Sequence, residues 1–177
     1  MNKHLSYSFL YEDAADLKCD FEILSDEIAS MIGLLRSLTG DQDTREELSR
    51  INELMYHINP SLRTRVTVTE EELQWLEERA EKLRQETRES LSGFPKEQGK
   101  PVFVIPQGCE AAAHSHVIRN KCKALVRLLS RHKQQGNNVE DLLFNFINLY
   151  SNYFYYLAMK LNRDQGVKET QFISRIY

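Results

Sequence analysis

The sequence predicts an all-α fold, an up-and-down bundle of five helices, from three observations. Apolar residues recur at alternating steps of three and four along most of the chain; only 7 Gly and 4 Pro interrupt its 177 residues; and neither a glycine-rich phosphate loop nor an alternation of strand and helix is present. With 41% hydrophobic and 28% charged residues the chain can bury a core without staples, and its composition excludes collagen-like, low-complexity and wholly disordered classes. Residues 1–162 are expected to form one helical domain, followed by a C-terminal tail over 163–177.

The first helix is predicted from Asp13 to Leu38, where Leu17, Phe21, Leu24, Ile28, Met31, Leu35 and Leu38 form one apolar stripe. Thr39-Gly40-Asp41 stops it. Asp43 or Thr44 can cap a second, short helix carrying Leu48, Ile51, Met55 and Ile58, which Asn59-Pro60 ends. The third begins at a capping box, Thr69-Glu70-Glu71-Glu72, and its buried stripe is Leu73, Leu76, Ala80 and Leu83, with Trp75 on the flank. The charges between them, Glu77 to Glu86, read as a solvated face with helical ion pairs. From Ser92 to Gly108 glycines and prolines bracket the run Val102-Phe103-Val104-Ile105, which predicts an ordered loop or strand. A fourth helix is expected from Glu110 to Gln134, closed by Gly136-Asn137-Asn138, and a fifth from Val139 to Leu161. The fifth carries Leu142, Leu143, Phe146, Ile147, Tyr150, Tyr153, Phe154 and Leu157, which leave it little polar surface, so it belongs at the centre.

No apolar run reaches the ~20 residues that cross a bilayer, and the start lacks the apolar stretch of a secretory signal, so a cytoplasmic protein without a membrane partner is expected. Cys19, Cys109 and Cys122 are an odd number without CxxC spacing and read as reduced thiols. Charge is divided: residues 1–95 carry 20 acidic and 11 basic side chains, residues 96–177 carry 6 and 12. The two parts can neutralise each other by packing, or the basic part can present an anion-binding face.

Within the basic part, Arg119, Lys123, Arg127 and Arg131 fall four residues apart, with no acid between Glu110 and Glu140. Such a stripe suits a polyanion such as a triphosphate, or else pairs with acids of the first helix. Nucleic acid is not expected, since net charge is −3 and no reader motif is present. His114 and His116 lie about 200° apart around a helix, so they do not form a metal pair, and no metal site is predicted. Asp26-Glu27 on the first helix need a cationic partner if buried; the alternative is exposure. The aromatics Tyr150, Tyr153, Phe154, Tyr155 and Tyr156 read as core or as the border of a flat ligand.

The run Phe103-Val104-Ile105-Pro106-Gln107-Gly108, followed by Ala111-Ala112-Ala113, His116 and Arg119, resembles the F-[IV]-[LI]-P-G-G … A … H-x-x-R signature of PduO-type ATP:cob(I)alamin adenosyltransferases. Asp26-Glu27-Ile28-Ala29-Ser30-Met31-Ile32-Gly33 is similar to that family's D-E-L-N-S-x-[IV]-G, and Asn148-Leu149-Tyr150-Ser151-Asn152-Tyr153-Phe154 to its N-R-L-S-D-Y-[LF]. The resemblance spans residues 15–162. It implies a five-helix bundle assembling as a homotrimer, with the corrinoid cobalamin and ATP with Mg2+ bound between subunits and the 5′-deoxyadenosyl group moved onto cobalt(I) with release of triphosphate. By the same resemblance Phe103 packs beneath the corrin, Asp26 and Arg119 pair across the subunit interface beside the reaction, and Lys123 and Arg127 face the triphosphate. Asn148 lies near the nucleoside, and Asn152 stands at the aspartate of the third motif. A cobalamin-dependent enzyme or a reductase would be a further partner.

The departures fall on the ATP side. The family opens with a glycine-containing loop around the triphosphate, and this sequence has no glycine before Gly33. After Arg119 two arginines of the pattern are Lys123 and Ala124 and its glutamate is Val126, while Gln107 and Asn152 replace a glycine and an aspartate. Lysine offers a point charge where arginine offers a two-pronged fork, and alanine and valine offer phosphate or magnesium nothing. These changes count against ATP and Mg2+ and leave two expectations open: an adenosyltransferase with a degraded ATP site, or a non-catalytic carrier or sensor of a corrinoid or another tetrapyrrole.

Overall fold

Residues 8–94 and 103–175 are described by the structure, a computed structural model. The segment from Pro95 to Val102, part of the predicted loop or strand, lies outside them, as does the start of the chain. Five long helices form: α1 Lys18–Leu38, α2 Gln42–Ile58, α3 Glu70–Glu86, α4 Glu110–Gln134 and α5 Asp141–Asp164. Two two-residue strands, β1 Phe103–Val104 and β2 Gln171–Phe172, pair antiparallel, with Phe103 opposite Phe172 and Val104 opposite Gln171. The segment expected to be a tail therefore returns to the loop before α4.

Helix α1 starts five residues later than its apolar period suggests. Asp13 and Asp16 each accept a backbone N–H two residues on, from Ala15 and Lys18, and such local turns compete with helix. Leu17 is nevertheless buried with Phe21, Ile28 and Leu35, while Leu24 and Met31 sit at the edge of the core. The cap of α2 is Asp41, not Asp43 or Thr44: the Asp41 carboxylate accepts from both the amide and the hydroxyl of Thr44. With its first turn secured there, α2 runs 17 residues, as long as α3. At α3 the capping box forms as predicted, Thr69 Oγ1 accepting from the Glu72 amide and Glu72 from the Thr69 amide. Helix α5 continues three residues past the predicted Leu161 and ends at a turn through Gly166, whose φ is +68°.

Contacts between the helices fix the directions. Cys109 reaches Asn162, Ser115 reaches Phe154 and Lys133 reaches Asp141, so α4 and α5 form an antiparallel hairpin. Lys121 to Glu27 and Gln135 to Ala15 set α4 antiparallel to α1. The Arg79–Glu47 ion pair at 2.9 Å and the Arg50 guanidinium 4.0 Å above the Trp75 ring join α2 to α3. Successive helices thus alternate in direction, but α3 packs on α5 rather than on α4, so α5 separates these two consecutive helices.

Helix α5 is the central one. Tyr150, Tyr153, Phe146 and Phe154 are fully buried on it, and their polar ends are satisfied: the Tyr150 hydroxyl donates to the Ile51 carbonyl at 3.2 Å and the Tyr153 hydroxyl to Glu47 at 3.1 Å. Arg63, just after α2, forks onto both Glu22 of α1 and Glu12, and its guanidinium stacks 3.7 Å from the Phe9 ring. A buried carboxylate such as Glu22 persists because it is paired this completely; the charge pattern had singled out Asp26 and Glu27 instead.

Candidate functional site

The predicted site residues divide among three surfaces. On α4, Arg119, Lys123 and Arg127 follow one another at single helical turns. Arg119 is half-buried against α5, its guanidinium 5.3 Å from the Tyr155 ring centre and its Nε enclosed without a hydrogen-bond partner among the described residues. Burial and the Arg119 charge hold the Lys123 ammonium below its ordinary pKa. Lys123 and Arg127 are exposed, and neither has an ion-pair partner among the described residues.

The cations beside this line behave differently. Lys121 lies 2.6 Å from Glu27 of α1 and Lys133 3.2 Å from Asp141, so neutralisation by acids is the fate of the off-line lysines. One turn before Arg119, His116 is 2% exposed and neither ring nitrogen has a hydrogen-bond partner among the described residues. Burial, aided by the Arg119 charge, brings its pKa down to about 4, so the imidazole is neutral and apolar packing holds it beside Tyr155. Its neighbour in the predicted pair, His114, is half-buried.

Asn148 and Asn152 are exposed on α5. Asn152 borders a groove of about 550 Å3 between α3 and α5, together with Glu77, Glu78, Glu81, Arg84 and Tyr156. That groove is acidic, in contrast to the α4 line. Asp26 is exposed on α1, and its partner is the Tyr56 hydroxyl of α2 at 2.8 Å. Among the described residues no ion pair joins Asp26 to Arg119 within one chain. Nothing in the spacing marks Tyr56 or Tyr155 as a partner of these charges; Tyr155, read as core or as the border of a flat ligand, meets Arg119 only when α4 and α5 are folded about Asn137, which sets 119 opposite 155.

Phe103 lies at the end of the bundle where α4 begins, 52% exposed although it sits in a strand. Around it Ile105, Phe172 and Ile173 are exposed as well, so this end presents an apolar surface. Cys122 is buried on the core side of α4 and Cys19 is half-buried on α1, and burial raises the pKa of both thiols.

The sequence model of the family described as Cobalamin adenosyltransferase matches residues 24–161. No curated protein matches. Among solved structures, a phenylalanine-to-histidine variant of the PduO-type ATP:corrinoid adenosyltransferase from Lactobacillus reuteri, complexed with cobalamin and ATP, is similar at 21% identity and TM-score 0.71, covering 91% of this chain and 85% of that one. A phenylalanine-to-alanine variant from the same organism, also complexed with cobalamin and ATP, gives 21% identity and 0.72, covering 90% and 87%. An arginine-to-lysine variant complexed with ATP gives 23% and 0.74, covering 89% and 88%. At these identities the likeness establishes the fold.

Proposed function

We propose, from the premise that the chain belongs to the cobalamin adenosyltransferase family, that it binds a corrinoid against Phe103 and transfers the 5′-deoxyadenosyl group of ATP to cob(I)alamin. The observation that carries this reading is the line Arg119, Lys123 and Arg127, in which the two exposed cations lack ion-pair partners among the described residues while the lysines beside them are paired. In the reaction the cobalt(I) electron pair attacks the ribose C5′ carbon, the C5′–O bond breaks, and triphosphate leaves with the bonding electrons. The leaving group gathers negative charge as the bond breaks, and fixed cations that meet it there lower the barrier. Arg119, held on Tyr155 and set beside a neutral imidazole, is fixed in this sense; Lys123 and Arg127 supply the reach. Lys123 supplies a positive charge without the two-pronged fork of arginine, and a solved structure of similar fold, an arginine-to-lysine variant, is complexed with ATP.

Asp26 and Arg119 are the proposed contact between subunits of a trimer. Asp26 is exposed and the half-buried Arg119 guanidinium has no ion-pair partner among the described residues, so each retains capacity for a partner outside its own chain. A second reading, a corrinoid carrier or sensor without chemistry, draws on the polyphosphate side. Ala124 is exposed between the cations, α4 has no carboxylate between Glu110 and Glu140 to hold magnesium, and Asn152 borders an acidic groove.

The deciding experiment titrates the protein with reduced cobalamin, with and without MgATP, and follows the visible spectrum. Formation of the cobalt–carbon chromophore is the expected result. A binding shift without that chromophore would support the carrier, and no shift at all would overturn both.

A further inference from the structure

The Phe103 strand is held by a clasp at one end of the bundle. Asn162, on the last turn of α5 and 1% exposed, uses its whole amide: Oδ1 accepts from the Cys109 backbone at 2.9 Å, and Nδ2 donates to the Gln107 carbonyl at 3.0 Å and to Glu169 Oε1 at 2.9 Å. Its own carbonyl accepts from the Val167 amide at 2.8 Å. Gly108 lies against the Asn162 side chain at φ +130°, where any Cβ would collide with the amide. The Gln107 side chain donates to Thr170 Oγ1 at 2.8 Å, and the Ile105 amide donates to the Thr170 carbonyl at 2.8 Å. Beyond that point β2 pairs with Phe103 and Val104.

We infer that Asn162, Gln107 and Thr170 are positioning residues that fasten the 167–172 segment to the loop before α4 and so set the place of Phe103. The inference rests on the reading of Phe103 as the corrin-facing residue and deepens it. A two-residue strand has no stability of its own. Among the described residues β2 is the only strand paired with β1, and the bonds just named tie the chain leading into β2 to the loop that carries β1. Gln107 is notable because it departs from the glycine of the resembling motif, and it is the residue whose side chain reaches the C-terminal segment.

The test compares Gln107→Ala, Thr170→Val, their double variant and Asn162→Ala, with Phe103→Ala as reference. Amide exchange at Ile105, read by NMR without ligand, is expected to accelerate about fivefold in each of the first two variants. Because both remove one shared bond, the double variant should add little more. Asn162→Ala should accelerate it by about a hundredfold; since that buried change can impair folding, the exposed Gln107–Thr170 pair keeps the test decisive. With cobalt(II) corrinoid bound, each variant should shift the visible spectrum toward that of Phe103→Ala in the order of its exchange rate. Unchanged exchange at Ile105 would overturn the clasp. Faster exchange with a wild-type spectrum, while Phe103→Ala alters it, would overturn the positioning role alone. A wild-type protein that shows no corrinoid spectrum would remove the corrin reading, and the role proposed for the clasp with it, whatever the exchange rates show.

Discussion

Lys123 and Lys121 are two residues apart on one helix, and their surroundings give them different work. Lys121 is matched by Glu27; Lys123 is exposed beside Arg119 with no acid at hand among the described residues. Lys123→Ala should therefore lower kcat by about a hundredfold while corrinoid binding changes less than threefold, and Lys123→Arg should keep most of the rate, measured by initial velocities and a spectral titration. Burial, aided by the Arg119 charge beside it, gives His116 its low pKa. Its folded value, about 4, lies below the ordinary 6.5, so the unfolded chain takes up a proton that the folded one refuses. The contribution of neutral His116 to stability is present above pH 6.5 and is lost as pH falls from 6.5 toward about 4. Urea midpoints measured across that range should fall for the wild type and fall less for His116→Gln. The stripe of cations was legible from its spacing, but which of them are neutralised was not, because the acids that decide it lie on α1 and α5.

At the scale of elements, short-range chemistry was readable wherever a side chain bonds its own backbone. The Thr69 capping box formed where its sequence placed it, and Thr69→Ala should cost about 1 kcal/mol, seen as a lower urea midpoint with an unchanged slope. Asp13 and Asp16 show the limit of periodicity: Leu17 keeps the helical phase and is buried, yet the aspartates hold its surroundings in turns and delay α1 to Lys18. The strand β2 could not be read in advance, since Gln171 and Phe172 find their strand partner with the help of Asn162 and Thr170, which lie 59 and 67 residues from Phe103 in sequence. Arg63 is a similar case. It fastens the short 3-10 helix Ser8–Tyr11 to α1 through Glu12, Glu22 and Phe9, and Arg63→Met should remove the guanidinium that bridges the buried Glu22 and Glu12. A loss of about 3 kcal/mol is expected, measured by denaturant unfolding.

For the whole molecule, the number of helices, their alternating directions and the central place of α5 follow from apolar spacing and short connections, whereas the packing of α3 on α5 does not. Two helices joined by a long connection carry no sequence record of their spatial neighbours. The division of charge between the two parts of the chain persists on the surface, with the cation line on α4 and the glutamates of the α3–α5 groove on either side of α5. Binding of inorganic triphosphate to α4 should consequently weaken as salt is raised from low to physiological ionic strength, measured by calorimetry, while corrinoid binding at the apolar end should hardly change. Trp75, the one tryptophan of the chain, stands under Arg50 where α2 meets α3. Its emission is a single-site optical reporter of that seam, on helices that carry neither the cation line nor Phe103. A chemical melt followed through the indole and one followed through the far-ultraviolet signal of all five helices should superimpose, because the buried tyrosines of α5 bind α2 into the same cooperative unit.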